Sequence, residues 1–115
     1  MRRSLTKNQI LRLKTDIDRV FKAGKRLSSS CFKLLVVDNG LPYSRLIVIP
    51  VKHYGNSVQR NYIRRQVKEI FRNNQDKIVT NVDCVVVVYP HKALTYEEKE
   101  SILISLFTRS GVTSL

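Results

Sequence analysis

The sequence predicts a single α+β domain over residues 1–115, with elements in the order α-β-β-α-β-α. Three observations carry this expectation. A length of 115 residues suits one domain with one core. Hydrophobic residues make up 43% of the chain, too many for a disordered tail and enough for a modest core. Apolar residues recur at helical spacing in some stretches and gather in strand-sized runs in others, with turn residues between.

The elements follow in order. Ile10, Leu13, Ile17, Val20 and Phe21 stand at near-helical spacing and predict a helix over about 15–23. Gly24 is its stop, and Thr6-Lys7-Asn8-Gln9, upstream, has the form of a capping box. Residues 31–37 and 44–51 read as strands. Asp38-Asn39-Gly40-Leu41-Pro42 between them is turn chemistry, which predicts an antiparallel hairpin. Residues 57–74 form a helix that Asn56 or Ser57 can cap. Residues 82–89 are apolar on both faces and predict a central strand ended by Pro90. Thr95-Tyr96-Glu97-Glu98 opens a last helix, its acids at the positive end of the dipole, with Ile102, Leu103, Leu106 and Phe107 as the buried stripe.

Charge narrows the function. Lys and Arg number 21 against 9 Asp and Glu, for a net charge of +12 and a pI near 10.2. A compact domain so unbalanced repels itself unless an anionic partner neutralises it. Nucleic acid is the first candidate and an anionic membrane surface the second. No apolar run approaches the roughly 18 to 20 residues of a membrane helix, and no signal-peptide core follows Met1-Arg2-Arg3-Ser4, so a cytoplasmic protein is expected. Cys31 and Cys84 lie in apolar runs without metal-site spacing and read as small buried hydrophobes.

The helix over 57–74 is the most specific segment. At about 100° per residue, Ile63, Val67, Ile70 and Phe71 share an apolar arc. Asn61, Arg64, Arg65, Lys68 and Arg72 share a neighbouring arc, with Arg60 at its border, and only Glu69 is acidic. Like charges clustered this way repel by a few tenths of a kcal/mol per pair, so a helix built for stability alone would intersperse Glu. Arginine suits forked hydrogen bonds to phosphate. Asn61, among the arginines, can meet a 2′-hydroxyl or a base edge.

Gly55-Asn56-Ser57-Val58, then Arg60-Asn61, then Ile63-Arg64-Arg65, closely resembles the signature of the bacterial ribonuclease P protein family. The resemblance extends from about residue 10 to 109, through Ile17-Asp18-Arg19-Val20-Phe21-Lys22-Ala23-Gly24 and Leu94-Thr95-Tyr96-Glu97-Glu98. Three positions depart from the pattern: Tyr62 stands where the signature has a second Arg, Val51-Lys52-His53 where a Ser-Lys-Lys run is usual, and Ile17 where many members have Phe.

The resemblance implies a fold like the second domain of a small-subunit ribosomal protein, α-β-β-(β)-α-β-α, with a left-handed β-α-β crossover where general rules would favour the right-handed one. It implies a ribonuclease P subunit that assists removal of the 5′ leader from precursor tRNA, monomeric in a 1:1 ribonucleoprotein. The chemistry would lie on the RNA subunit with its Mg2+, with no cofactor, metal or catalytic residue on this chain. The implied RNA-binding residues are Lys52, Gly55, Asn56, Arg60, Asn61, Tyr62, Arg64, Arg65, Lys68 and Arg72. A cleft beside the first helix would hold the single-stranded leader, with Ile17, Phe21 and Phe32 as its residues; core packing is the alternative for both Phe. The scattered acids agree, since two-metal nucleases need carboxylates converging on ions about 4 Å apart. Rival readings are a general RNA- or ribosome-binding module, a DNA-binding domain using residues 57–74 as recognition helix, and a protein-only nuclease.

Overall fold

A computed structural model describes residues 9–113. The expected capping box at Thr6 falls outside them. The elements are α1 (Lys14–Ala23), β1 (Lys25–Ser29), β2 (Phe32–Asp38), β3 (Arg45–Pro50), α2 (Ser57–Asn73), a 3-10 turn (Gln75–Lys77), β4 (Val82–Val88) and α3 (Tyr96–Arg109). The strands form one mixed sheet in the order β1-β2-β4-β3. β2 is antiparallel to β1 and β4, and β3 runs parallel to β4. β3, α2 and β4 thus make the β-α-β crossover.

The expected hairpin between residues 31–37 and 44–51 is not formed. All seven residues of β4 are buried, so it takes the inner position and separates β2 from β3. The Asn-Gly turn instead carries the chain across the end of β4. Asn39 Oδ1 accepts from the Leu41 amide at 2.9 Å, Asn81 Nδ2 donates to the Leu41 carbonyl at 3.0 Å, and the Val82 amide donates to Ser44 Oγ at 3.0 Å. The hairpin is β1–β2, turned at Ser30, whose φ is +55°. β1 is the additional strand that the resemblance allowed. Its sequence, Lys-Arg-Leu-Ser-Ser, packs only Leu27 on the core and carries no apolar alternation.

Period-2 alternation splits the sheet into two faces. Phe32, Leu34 and Val36 of β2, Leu46 and Val48 of β3, and Cys84, Val86 and Val88 of β4 meet Ile63, Val67, Ile70 and Phe71 of α2 and Leu103, Leu106 and Phe107 of α3. The opposite face presents Leu35, Val37, Ile47, Ile49, Val85 and Val87, with Val20, Ile17 and Phe21 of α1 and Leu11 packed on it. Cys31 and Cys84 are buried as expected, and burial pushes both thiols up, away from thiolate reactivity. The stripe expected for the first helix is shortened. Leu13 is 64% exposed at the N-cap, while the unforeseen Leu11 is fully buried and its amide donates to the Leu46 carbonyl at 2.9 Å along the edge of β3.

One buried carboxylate pins α1 to the sheet. Asp83 of β4 is fully buried and accepts from Arg19 Nη2 at 2.7 Å, from Arg45 Nε and Nη2 at 2.7 and 2.6 Å, and from Asn39 Nδ2 at 3.0 Å. Burial alone would raise its pKa, but the Arg45 fork and the Asn39 amide outweigh that and hold it below the ordinary carboxylate range. Gly24 closes α1 for a steric reason: its φ is −73°, an ordinary value, but a Cβ there would stand 2.3 Å from the Val20 carbonyl oxygen.

Candidate nucleic-acid interface

α2 is placed by its first turn. Asn56 Oδ1 accepts from the Gln59 amide at 2.9 Å and Gln59 Oε1 accepts from the Asn56 amide at 3.0 Å, a complete capping box. Gly55 leaves room for it: a Cβ there would lie 2.2 Å from Gln59 Oε1 and push the end of that side chain out of its half of the capping box. With the buried arc of α2 on the sheet, the basic arc lies outward. Asn61 and Arg65 are exposed, Arg64, Lys68 and Arg72 partly buried, and Lys52, Gly55 and Asn56 exposed in the preceding loop.

Two of these residues are committed to the fold: Asn56 caps α2, and Arg60 is tied to the end of β3. The Arg60 guanidinium donates to the carbonyls of Val51 at 2.5 Å and Pro50 at 3.0 Å. It therefore locks the start of α2 to the end of β3 and presents the arc, with its own donors largely used. Arg64 Nη1 donates to Asn61 Oδ1 at 3.0 Å, which orients both side chains on the surface. Tyr62 is 56% exposed on the other flank, toward α3, with the Lys99 ammonium 5.8 Å from its ring centre.

The sheet face under α1 is only half covered. α1 packs chiefly over β2 and β4, which leaves Ile47, Ile49 and Val51 along β3 partly exposed together with Ile17, Phe21 and Val37. At the edge of β3 this surface runs into a groove of about 400 Å3, lined by Ile10, Leu11, Arg12, Ile47, Ile49, Arg64 and Lys68. The apolar floor is thus joined to the basic flank of α2. Ile17 and Phe21 belong to this face.

Phe32 does not. It is 1% exposed and lies in the core under α2 and α3, because Lys33, Leu35 and Val37 take the α1 side of β2. Its expected place in the cleft is corrected: no ring face is left for a base. Ile47, Ile49, Val51 and Arg12 were not foreseen. The signal for the first three was the alternation of β3, Arg45-Leu46-Ile47-Val48-Ile49-Pro50, which marks two apolar faces where one helix covers only one of them.

Three of the nine acids are engaged in holding the fold. Asp83 holds Arg19 and Arg45, Asp16 lies 3.4 Å from Arg45, and Glu98 closes the capping box of α3 with Thr95. Among the described residues no group of three or more His, Cys, Asp or Glu is placed to hold a metal ion, and no helix is long and apolar enough to cross a membrane.

Comparison with known proteins is consistent across the chain. Residues 5–111 match the model of the family described as Ribonuclease P. The ribonuclease P protein component of Thermotoga maritima is 40% identical over 97 residues, 84% of this chain and 81% of that protein. That of Alkaliphilus metalliredigens is 33% identical over 108 residues, 93% of this chain and 97% of that protein. Among solved structures, the Thermotoga maritima RNase P protein in complex with 1-(4-fluorophenyl)-2-thiourea superposes with a TM-score of 0.78 at 35% identity, covering 86% of this chain and 97% of that one. The Staphylococcus aureus RNase P protein shares the fold, with a TM-score of 0.84 at 24% identity over 92% of this chain and 98% of that one.

Proposed function

The chain belongs to the ribonuclease P protein family and is the protein component of a tRNA-processing endoribonuclease with an RNA partner; from that premise we propose that it binds the catalytic RNA through α2 and the 5′ leader of precursor tRNA along its half-open sheet face. The observation that carries this reading is the continuity of the two surfaces. The groove over Ile47 and Ile49 opens directly onto Arg64 and Lys68. A single strand laid on the apolar floor keeps its phosphates at the cationic rim, so one protein holds substrate and ribozyme side by side.

Roles follow from chemistry. Asn61, Arg64, Arg65, Lys68 and Arg72, with Lys52 and the loop at Gly55 and Asn56, meet phosphates and 2′-hydroxyls of the RNA. Arg60 positions them. Ile17 and Phe21 face the leader, and Phe21 stacks on a base, an interaction tolerant of sequence because every base has a π-face. Bond cleavage belongs to the RNA and its Mg2+; the protein neutralises phosphate repulsion and so lowers the Mg2+ that the RNA needs, by the counterion logic that makes such binding salt-dependent. The engagement of Asp83, Asp16 and Glu98 in ion pairs and a helix cap supports a chain that assists rather than cleaves. It would act in the cytoplasm as one copy per RNA.

Phe21→Ala tests the leader surface. Its affinity for precursor tRNA in the holoenzyme should fall by about 5- to 150-fold, the range of one lost base stack. Affinity for mature tRNA, which lacks a leader, should stay unchanged. Equal losses for both substrates would refute the assignment, and a thermal melt of the variant separates it from simple unfolding.

A further inference from the structure

The flank of α2 opposite the groove carries a second feature. The β3–α2 loop, the first two turns of α2 and the β4–α3 loop enclose a pocket of about 210 Å3 lined by Tyr54, Gln59, Tyr62, Pro90 and His91. Two of its five residues are tyrosines in a chain that is 8% Phe, Trp and Tyr, and with the His91 ring they come from two distant loops and a helix. Tyr62 is 56% exposed, so its ring offers an accessible face at the mouth of the pocket.

The pocket is organised from behind. Tyr54 and His91 stand with ring centres 5.8 Å apart and tilted by 53°, and Tyr54 Oη lies 3.1 Å from His91 Nε2. His91 Nδ1 lies 2.7 Å from the Lys92 carbonyl, to which it must donate, which leaves Nε2 paired with the Tyr54 hydroxyl. On the far side Lys99, 7% exposed, donates to Gln66 Oε1 at 2.6 Å, with its ammonium 5.8 Å from the centre of the Tyr62 ring. The capping box uses the Gln59 side-chain oxygen as acceptor, and the amide nitrogen of that side chain is a donor suited to a base edge.

Shape and charge select the occupant. At about 210 Å3 the pocket is below the roughly 300–1,000 Å3 of sites for drug-sized ligands, so it suits one planar group. Lys99 lies over the Tyr62 ring, Lys92 follows His91 in the chain and Arg65 stands one helical turn from Tyr62; these cations favour a planar group attached to phosphate. We propose that this pocket takes a single unstacked base of the RNA bound on α2, with Tyr62 as its principal stacking face and Tyr54 and His91 as its wall. This rests on the reading of α2 as an RNA-binding helix and deepens it: where the family signature has a second arginine, this chain replaces a charge contact with a base contact. The contact adds affinity without releasing a further counterion, so it leaves a distinct salt signature.

The test compares wild type, Tyr62→Ala and Tyr62→Phe for binding to the cognate ribonuclease P RNA over a series of KCl concentrations, with nucleotide-resolved chemical probing of each complex. Because Tyr62 is exposed, both variants should fold as wild type does. Tyr62→Ala should weaken binding by about 5- to 150-fold with an unchanged salt slope, while Tyr62→Phe should stay within about twofold of wild type. One unpaired nucleotide should be protected by wild type and Tyr62→Phe and exposed with Tyr62→Ala. Wild type that binds while Tyr62→Ala binds equally well, with the same protections, would overturn the pocket and leave the α2 reading intact. Wild type that fails to bind the RNA would overturn both.

Discussion

Ile70→Asp should leave the chain without a cooperative fold at 25 °C. Ile70 is fully buried in the arc of α2 that meets the sheet and α3. The substitution forfeits about 1.5–3 kcal/mol of apolar burial. It also sets a carboxylate in the core, at several kcal/mol after relaxation. Small domains have about 5–15 kcal/mol in all, so the loss consumes most or all of it. Far-UV circular dichroism and a thermal melt read the result. Ile70→Val is the control, with an expected cost of about 0.5–1.5 kcal/mol and a retained cooperative transition. A cooperative melt of Ile70→Asp near that of wild type would mean that the apolar arc of α2 is misassigned, and with it the direction in which the basic arc points.

Arg64→Ala combined with Arg65→Ala should weaken binding to ribonuclease P RNA on the order of 100-fold, taking about 1.5 kcal/mol for each charged hydrogen bond lost, the low end for such bonds. The salt dependence should change with it. Each phosphate contact contributes about 0.7–0.9 to the slope of log K against log salt, so removing two should flatten it by about 1.4–1.8. The fold should be unaffected. Arg65 is exposed and Arg64 partly buried, donating a hydrogen bond to the exposed Asn61. Unchanged affinity would contradict the assignment of the helix; lower affinity with an unchanged slope would mean that these arginines contact something other than phosphate.

Much of this fold was readable from residue patterns. The helix over 57–74, its cap at Asn56 or Ser57, the central strand ended by Pro90 and the opening of the last helix at Thr95 all follow from local chemistry, and the structure has them within a residue or two, with Asn56 as the cap. What failed was pairing. A turn sequence such as Asn39-Gly40 states that the chain reverses, but not which strand will lie alongside. That choice depended on β4, more than 40 residues downstream, whose two apolar faces claim the interior. β1 escaped notice because an edge strand needs little apolar surface, and Lys25-Arg26-Leu27-Ser28-Ser29 has one apolar residue.

The candidate interface shows the same division. Helical periodicity places Arg64, Arg65 and Lys68 outward whatever lies beneath them. Arg60, one step further round the helix, is spent on the carbonyls of Pro50 and Val51, which only tertiary structure brings within reach. Phe32 was misplaced for a related reason. A strand with apolar residues on both faces gives no local sign of which face becomes the cleft, and the parity of β2 puts Phe32 on the closed side. The half-open face itself, over Ile47 and Ile49, arises because α1 is short and covers β2 and β4 but not β3.

The central claim is that this chain assists an RNA catalyst. The most direct measurement is cleavage of precursor tRNA at low Mg2+ by a bacterial ribonuclease P RNA, with and without the protein, and by the protein alone. Cleavage at the mature 5′ end is expected when both are present, little from the RNA alone at that Mg2+ concentration, and none from the protein alone. Protein that binds the RNA yet changes neither the cleavage rate nor the affinity for the leader would contradict it, as would cleavage by the protein without RNA.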